Sequence, residues 1–402
     1  VTQYDVASVR SDFPALASGS AHFDGPGGTQ TPRQVIDAMA ATLGAPLSNE
    51  GDTTQGERNA AAAVASGRQA IADLVGGDPG GVVFGRSATQ LAYDFSRMLS
   101  RTWSAGDEVI VTRLDHDSNV RPWVQAAEQV GATVRWLDFD PATSELDDIG
   151  TVLSDRTRLV AVTAASNLIG TKPPVAAIAR AAHDVGALVY VDGVHYTAHE
   201  SVDMAALGAD FYACSPYKFL GPHLGALTAS PELLDTLMPD KLLPATNEVP
   251  ARFEFGTLPY ELLAAVAAAV DYLADLGVAG PRPGARRDRL VDSFHRLDAH
   301  EQELLGTLER GIAELPGVTV HSRAADRTPT LLMTFDGRDA ADAYRFLAQR
   351  GVDAPASNFY ALEASRRLGL GDAGGLRAGL APYTDESDIE RLLDGLREFM
   401  TA

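Results

Sequence analysis

Two charged side chains in this sequence keep company that an ordinary surface charge would not. Lys218 lies in Phe211-Tyr-Ala-Cys-Ser-Pro-Tyr-Lys-Phe-Leu-Gly-Pro222, flanked by Tyr217, Phe219 and Leu220. Asp192 ends the apolar run Ala187-Leu-Val-Tyr-Val-Asp-Gly193. Taken singly, a lysine is usually solvated and an Asp-Gly after a strand is usually a turn. Taken together they have a chemistry. A lysine amine can hold an aldehyde cofactor covalently, and a carboxylate can keep a pyridine nitrogen protonated, so that the ring withdraws electrons. Leu188 to Val191 suits a strand buried on both faces, and ligands in open parallel sheets gather beyond the carboxyl ends of such strands.

The elements that must position these residues alternate as a doubly wound α/β domain should. Arg58 to Val75 reads as a helix, Gly81 to Phe84 as a strand and Ser87 to Arg101 as a helix. Strand Glu108 to Thr112, helix Val120 to Val130, strand Thr133 to Leu137 and strand Arg158 to Thr163 follow, then helix Pro174 to Val185 and the Asp192 strand. Gly131, Gly186 and Gly208 fall where helices should stop. A helix from Leu262 to Leu276 leaves this domain, and Gly280-Pro-Arg-Pro-Gly284 is linker-like. Beyond it come a helix from Arg287 to Glu314, strands at Val318 to Val320 and Thr330 to Thr334, a helix from Ala340 to Arg350 and a closing helix from Ser387 to Met400. The expected domains are 17–280, large, and 285–402, small, with 1–16 packed on the latter.

The chain of 402 residues carries a formal net charge of −21, which argues against nucleic acid as a partner, because phosphate backbones need a basic surface. One cysteine, Cys214, rules out an internal disulfide and any multi-cysteine metal site. The start Val1-Thr-Gln-Tyr-Asp has no basic and apolar blocks of a signal peptide, and the apolar run Leu262 to Val270 falls short of the ~20 residues of a membrane span. A soluble, cytoplasmic protein is expected. His195 and His199 stand four apart, a zinc-ligand spacing, but no third ligand accompanies them, so no metal site is expected.

In their order along the chain, several motifs resemble the class V aminotransferase superfamily, in its cysteine-desulfurase-like branch. They are Phe13-Pro-Ala-Leu16, Phe23-Asp24, Asp115-His-Asp-Ser-Asn119, Ser166-Asn-Leu-Ile-Gly-Thr171, Asp192, Lys218, Arg252-Phe-Glu-Phe-Gly-Thr257 and Leu376-Arg-Ala-Gly-Leu380. The resemblance covers almost the whole chain. It implies the type I fold of pyridoxal-phosphate-dependent transferases, a large domain with a mainly parallel sheet plus a smaller C-terminal α/β domain, and pyridoxal 5′-phosphate as cofactor. Gly85-Arg-Ser-Ala-Thr89, between a strand and a helix, meets the physical need of a phosphate for free backbone N–H groups at a helix N-terminus. The resemblance puts the Ala88 backbone, the Thr89 hydroxyl, Ser215 and Tyr217 at that phosphate, and Asn167 and His195 at the ring hydroxyl. It gives Arg377 the substrate α-carboxylate, which a planar guanidinium suits. Asn167 is a second candidate for substrate contact. Thr257 would reach the phosphate of a neighbouring subunit in a homodimer whose sites are completed across an isologous interface.

Two departures matter. The family usually has two histidines where this chain has His116 and Asp117, the second stacking on the cofactor ring, so either His116 turns inward or the ring is covered by another residue. Cysteine desulfurases also carry a mobile thiol near Ser357-Asn-Phe-Tyr-Ala361, where this chain places Tyr360, and Pro355 stands near the place of an arginine that precedes it. The expected activity is therefore C–S β-elimination on an amino acid, with Lys218 moving the Cα proton and no persulfide relay. Transamination and epimerisation share the same chemistry at Cα, and a non-catalytic scaffold that kept the fold is the reading from another class.

Overall fold

A computed structural model describes residues 4–278, 280 and 282–402. Val1 to Gln3 of the N-terminal segment and Pro281 of the linker lie outside the described residues. A seven-stranded sheet runs in the spatial order Val82–Gly85, Gly225–Ala229, Phe211–Cys214, Leu188–Asp192, Thr157–Thr163, Glu108–Thr112 and Thr133–Leu137. Gly225–Ala229 is antiparallel to both its neighbours, and the other six strands share one direction.

The pleat explains the two faces. Alternate residues of a strand point to opposite sides of the sheet. Ile110, Val160, Val162, Val189, Val191 and Tyr212 pack with helices Gln55–Val75, Val175–Asp184 and Tyr260–Ala274. Val109, Val111, Leu159, Ala161, Tyr190 and Phe211 pack with helices Ala88–Leu99 and Arg121–Val130. Edge strand Thr133–Leu137 exposes Thr133 and Arg135, but the inner strands are largely apolar on both faces because helices cover both. That leaves only the strand ends for polar chemistry.

A second sheet of four strands, in the order Ala356–Ser357, Gly375–Gly379, Thr330–Phe335 and Val318–Val320, is antiparallel throughout. The 28-residue helix Arg286–Ala313 belongs to both bodies. Leu290, Phe294 and Leu297 join the larger core, while Leu304, Leu305, Leu308 and Ile312 join the smaller one. The N-terminal segment also touches both. Val9 and Phe13 enter the larger core, whereas Arg10 pairs with Asp385 and Asp388 at the start of the C-terminal helix.

Most elements lie within a few residues of the sequence expectation. Helix Arg33–Gly44 and strands Gly225–Ala229 and Gly375–Gly379 were not foreseen by periodicity. Strand 225–229 has a glycine start for a steric reason. A Cβ on Gly225 would lie 2.3 Å from the Ser87 carbonyl carbon and 2.5 Å from the Ala88 nitrogen. Its bare backbone is what lets the N-terminus of helix Ala88–Leu99 settle against the sheet. No helix among the described residues is long and apolar enough to cross a membrane.

Candidate active site

Five segments leave the carboxyl edge of the large sheet and converge on one cleft. They carry Ser87 to Thr89, Asp115 to Ser118, Asn167, Asp192 to His195, and Ser215 to Lys218. Together they line an inner cavity of about 70 Å³. It is continuous through Thr89, His116, Asn167, Tyr217 and Lys218 with an outer cavity of about 640 Å³, whose far wall holds Asp24, Phe359, Tyr360 and Arg377.

Lys218 is buried, and its amine donates to the carbonyl of Pro26. Burial, followed by the positive charge of Arg377, lowers its pKa to about 8 despite the opposing pull of Asp24 and Asp192. Asp192 is also buried. Its Oδ1 accepts from the Val194 amide at 2.9 Å, and burial raises its pKa to about 6 against that bond and Lys218. Beneath it, Asp115 accepts from Asn119 Nδ2 at 2.7 Å and meets the Thr112 hydroxyl; burial pushes it up to about 8. Desolvation dominates all three shifts, so burial disfavours the charged form of each group and the edge lacks the opposite charges that would offset it.

His116 is aimed into the cleft. Its Nδ1 accepts from the Ser118 amide at 3.0 Å, which leaves Nε2 as the protonated nitrogen, and burial holds its pKa down at about 3. Asp117 turns the other way, accepting from Arg121 Nε at 2.8 Å. His195 is buried, with Nε2 within 2.8 Å of the Thr328 hydroxyl and 3.1 Å of the Thr330 hydroxyl. Its neighbour His199 packs edge-on against it at 5.0 Å and faces Glu301 through Nδ1 at 2.9 Å. Asn167 donates to the Phe359 carbonyl at 3.0 Å, while its buried Oδ1 has no partner.

Arg377, from strand Gly375–Gly379, is fully buried. Nη1 donates to the Asn167 carbonyl at 2.8 Å, Nη2 to Asp24 at 2.6 Å, and the guanidinium lies 3.6 Å from the Phe359 ring centroid. Asp24 is itself 42% exposed, so the pair has one yielding partner. Phe359 and Tyr360 both have positive φ, at 50° and 59°. For residues with a Cβ this costs roughly 1–2 kcal/mol each, and it persists only where surroundings enforce it.

The structure thus brings Lys218, Asp192, His116, Ala88, Thr89, Asn167, His195, Ser215, Tyr217 and Arg377 to one cleft. Thr257 is not among them. It is exposed, 3.5 Å from Asn49 Oδ1, and lines a separate cavity of about 270 Å³ with Arg86 and His223. Sequence reasoning assigned no site role to Asp24, Tyr93, Asp115, Arg121 or Phe359. Only Asp24 and Asp115 had a local signal, an acid beside a residue already singled out.

The cleft fits a phosphorylated pyridine aldehyde by its donor set. An amine of lowered pKa faces a carboxylate, an amide oxygen stands unpartnered, and a helix N-terminus capped by Ser87 opens beside the Thr89, Ser215 and Tyr217 hydroxyls. The family model for aminotransferase class-V matches residues 21–392. A cysteine desulfurase of Klebsiella pneumoniae is 30% identical, over 98% of both chains. The crystal structure of the Escherichia coli cysteine desulfurase CsdA superposes with a TM-score of 0.86 at 26% identity, covering 99% of this chain and 98% of that one. A C-DES mutant with glycine covalently linked to its PLP cofactor shares the fold, with a TM-score of 0.79 at 22% identity over 97% and 99% of the two chains. The α/β architecture with a mostly parallel central sheet is the one these structures share.

Proposed function

The chain belongs to the aminotransferase class-V family of pyridoxal-phosphate enzymes, and from that premise we propose that it is a lyase cleaving the C–S bond of a cysteine-type amino acid by β-elimination. The observation that carries this reading is the convergence of Lys218, Asp192 and Arg377 on one cavity while Cys214 stays out of it. Pyridoxal phosphate, when bound, supplies an aldehyde for the substrate amine and a ring that draws electrons from Cα.

The chain's own residues do the rest. The N-terminus of helix Ala88–Leu99, with Thr89, Ser215 and Tyr217, would hold the phosphate. Asp192 would hold a proton on the ring nitrogen, and ionises readily in that partnership because its opposite charge is then adjacent. His116 would lie over the ring with its Nε2 proton turned inward, and His195 and Asn167 would meet the ring hydroxyl. Arg377 would take the substrate carboxylate as the half-exposed Asp24 gives way. Lys218, whose amine is partly neutral near pH 8, would remove the Cα proton. As the Cα–H and Cβ–S bonds break, a Cα=Cβ bond forms and the leaving thiolate takes up a proton. Water then completes the products as a keto acid and ammonium.

A thiol relay finds little support. Cys214 is buried in strand Phe211–Cys214, and burial pushes its pKa up to about 12, far from the thiolate that sulfur transfer needs. We also propose a homodimer. Phe255 is exposed beside Thr257 in the same surface cavity, and Leu242 and Leu243 are exposed as well, which favours an apolar face meeting a second subunit. The test is to incubate holoenzyme with cysteine and its S-conjugates and follow sulfide or thiol, keto acid, amino-group transfer and racemisation together. Thiol and keto acid in equal amounts are expected. Amino transfer or inversion without thiol release would replace elimination by transamination or epimerisation, and no turnover with a spectrum insensitive to amino acids would favour a scaffold.

A further inference from the structure

Among the aromatic rings of the outer cavity, one is open. Tyr217 stacks on His223 with centroids 4.9 Å apart, Phe359 is covered by the Arg377 guanidinium at 3.6 Å, and Tyr93 has Arg97 at 5.5 Å. Tyr360 is 74% exposed and tilts toward His116 at 5.5 Å, standing at the mouth beyond the histidine. The charges at that mouth are spent on each other. Arg121 donates from Nε to Asp117 at 2.8 Å and from Nη2 to Glu363 at 2.7 Å, and Glu363 also holds Arg113 at 2.8 Å.

The same contacts fix the wall. The Asp117 amide donates to the Tyr360 carbonyl at 2.7 Å, Asn167 to the Phe359 carbonyl at 3.0 Å, and the Tyr360 amide to Asn358 Oδ1 at 2.9 Å. Arg367 adds a bond to the Phe139 carbonyl at 3.1 Å. These ties hold two successive left-handed residues that relaxation would otherwise undo. The outer cavity of about 640 Å³, which the cofactor would share with the substrate through Thr89, His116, Asn167, Tyr217 and Lys218, opens at Tyr360 rather than closing over the substrate's side chain.

We propose that Tyr360, held rigid by the Asp117–Arg121–Glu363 ion-pair chain, is the specificity-determining residue of this site, and that it selects amino acids whose β-substituent is bulky, flat and uncharged, such as aromatic S-conjugates of cysteine. The proposal rests on the outer cavity being the substrate site of the lyase. An open aromatic ring rewards stacking with another flat group, and beside Tyr360 the charges of Asp117, Arg121 and Glu363 are already paired with one another. The fixed wall makes the substrate's side chain, rather than a moving loop, the element that closes the cleft.

The experiment compares L-cysteine with S-benzyl-L-cysteine on the holoenzyme, measuring kcat/KM for each and, by calorimetry, Kd for each. The wild type is expected to favour the benzyl conjugate. Tyr360→Gly, which suits the positive φ and so keeps the fold, should lower the ratio of the two by at least about tenfold, whereas Tyr360→Phe should retain it. Glu363→Gln should lower the ratio less and speed hydrogen exchange at the Tyr360 and Ala361 amides. An unchanged ratio in Tyr360→Gly overturns the proposal, and unchanged exchange in Glu363→Gln overturns the rigid-wall part of it. Cysteine turned over with the benzyl conjugate excluded also overturns it, but leaves the lyase reading standing. The Kd ratio shifting as expected with no thiol released sinks the lyase reading and leaves Tyr360's role intact.

Discussion

On the sheet side of the cleft, Lys218, Asp192 and Asp115 have no ion-pair partner among the described residues, while in the outer cavity Arg121 is paired with Asp117 and Glu363 and Arg377 with Asp24. The first arrangement is destabilising by itself, since each of these groups can ionise only by leaving a buried charge without compensation. The second is neutralised and held by several bonds at once. The difference separates two tasks. A group that must exchange protons or bind a charged ligand has to be left unsatisfied, whereas a group that shapes a cavity works best when every bond it can make is made.

The largest expected effect comes from removing the unsatisfied amine. Lys218→Ala should lower turnover by roughly 10⁴-fold, in the range of a lost general base that also held the cofactor. Borohydride treatment followed by peptide mapping should find the cofactor fixed on Lys218 in the wild type, and a label on Lys172 or Lys241 would refute the assignment. Asp192→Asn should keep the cofactor but lower turnover by roughly 10²-fold, because an amide brings no negative charge to the ring nitrogen. Equal turnover in that variant and the wild type would remove Asp192 from the site.

The comparison also makes a stability statement. The Lys218 pKa is depressed from 10.5 to about 8, so its cost to the apoprotein is absent above the unfolded value and grows as pH falls to about 8, staying constant below. Lys218→Met should therefore raise apoprotein stability by roughly 2–3 kcal/mol at pH 7, and the gain should vanish near pH 10.5. Asp192 has the opposite sign. Its pKa is raised from 3.8 to about 6, so stability falls as pH rises through that interval, and the gain in Asp192→Asn should grow across it and be complete above it. The two gains should not add, since each charge eases the burial of the other. Urea melts of the apoprotein at several pH values measure all three. A Lys218→Met variant no more stable than the wild type at pH 7 would mean the amine is solvated.

The same contrast governed what the sequence could reveal. Asp192 and Lys218 were legible because each ends or follows a strand whose apolar neighbours are contiguous in the chain, and His116 and Asn167 because they occupy strand ends in recognisable motifs. The opposite wall is assembled by contacts between residues far apart in sequence. Arg121 meets Glu363, Asn167 meets Phe359, and Asp24 meets Arg377. No local periodicity encodes such pairs. Helix Arg33–Gly44 escaped notice because its buried face is narrow, with Val35 as its one fully buried side chain. Strand Gly225–Ala229 escaped because its glycine start, read alone, argues against a strand, and only the approach of Ser87 and Ala88 explains it.

The smallest expected effect tests whether a third kind of group, buried and neutral, takes any part. Cys214 lies on the last residue of strand Phe211–Cys214, paired with Ala226, one residue before the loop that carries Lys218. A sulfur relay needs a thiolate on a segment free to swing, and this thiol is fixed in a sheet, with a pKa pushed up to about 12 by burial and then by Asp192. Cys214→Ala should keep activity within about twofold, and cost about 1 kcal/mol of stability for the cavity left by the sulfur. Mass spectrometry of the wild type after exposure to cysteine should find no persulfide on the chain. A persulfide on Cys214 together with an inactive alanine variant would reverse the comparison. The sheet edge would then hold a moving nucleophile rather than static charges, and the elimination reading would give way to a desulfurase whose thiol attacks from within the fold.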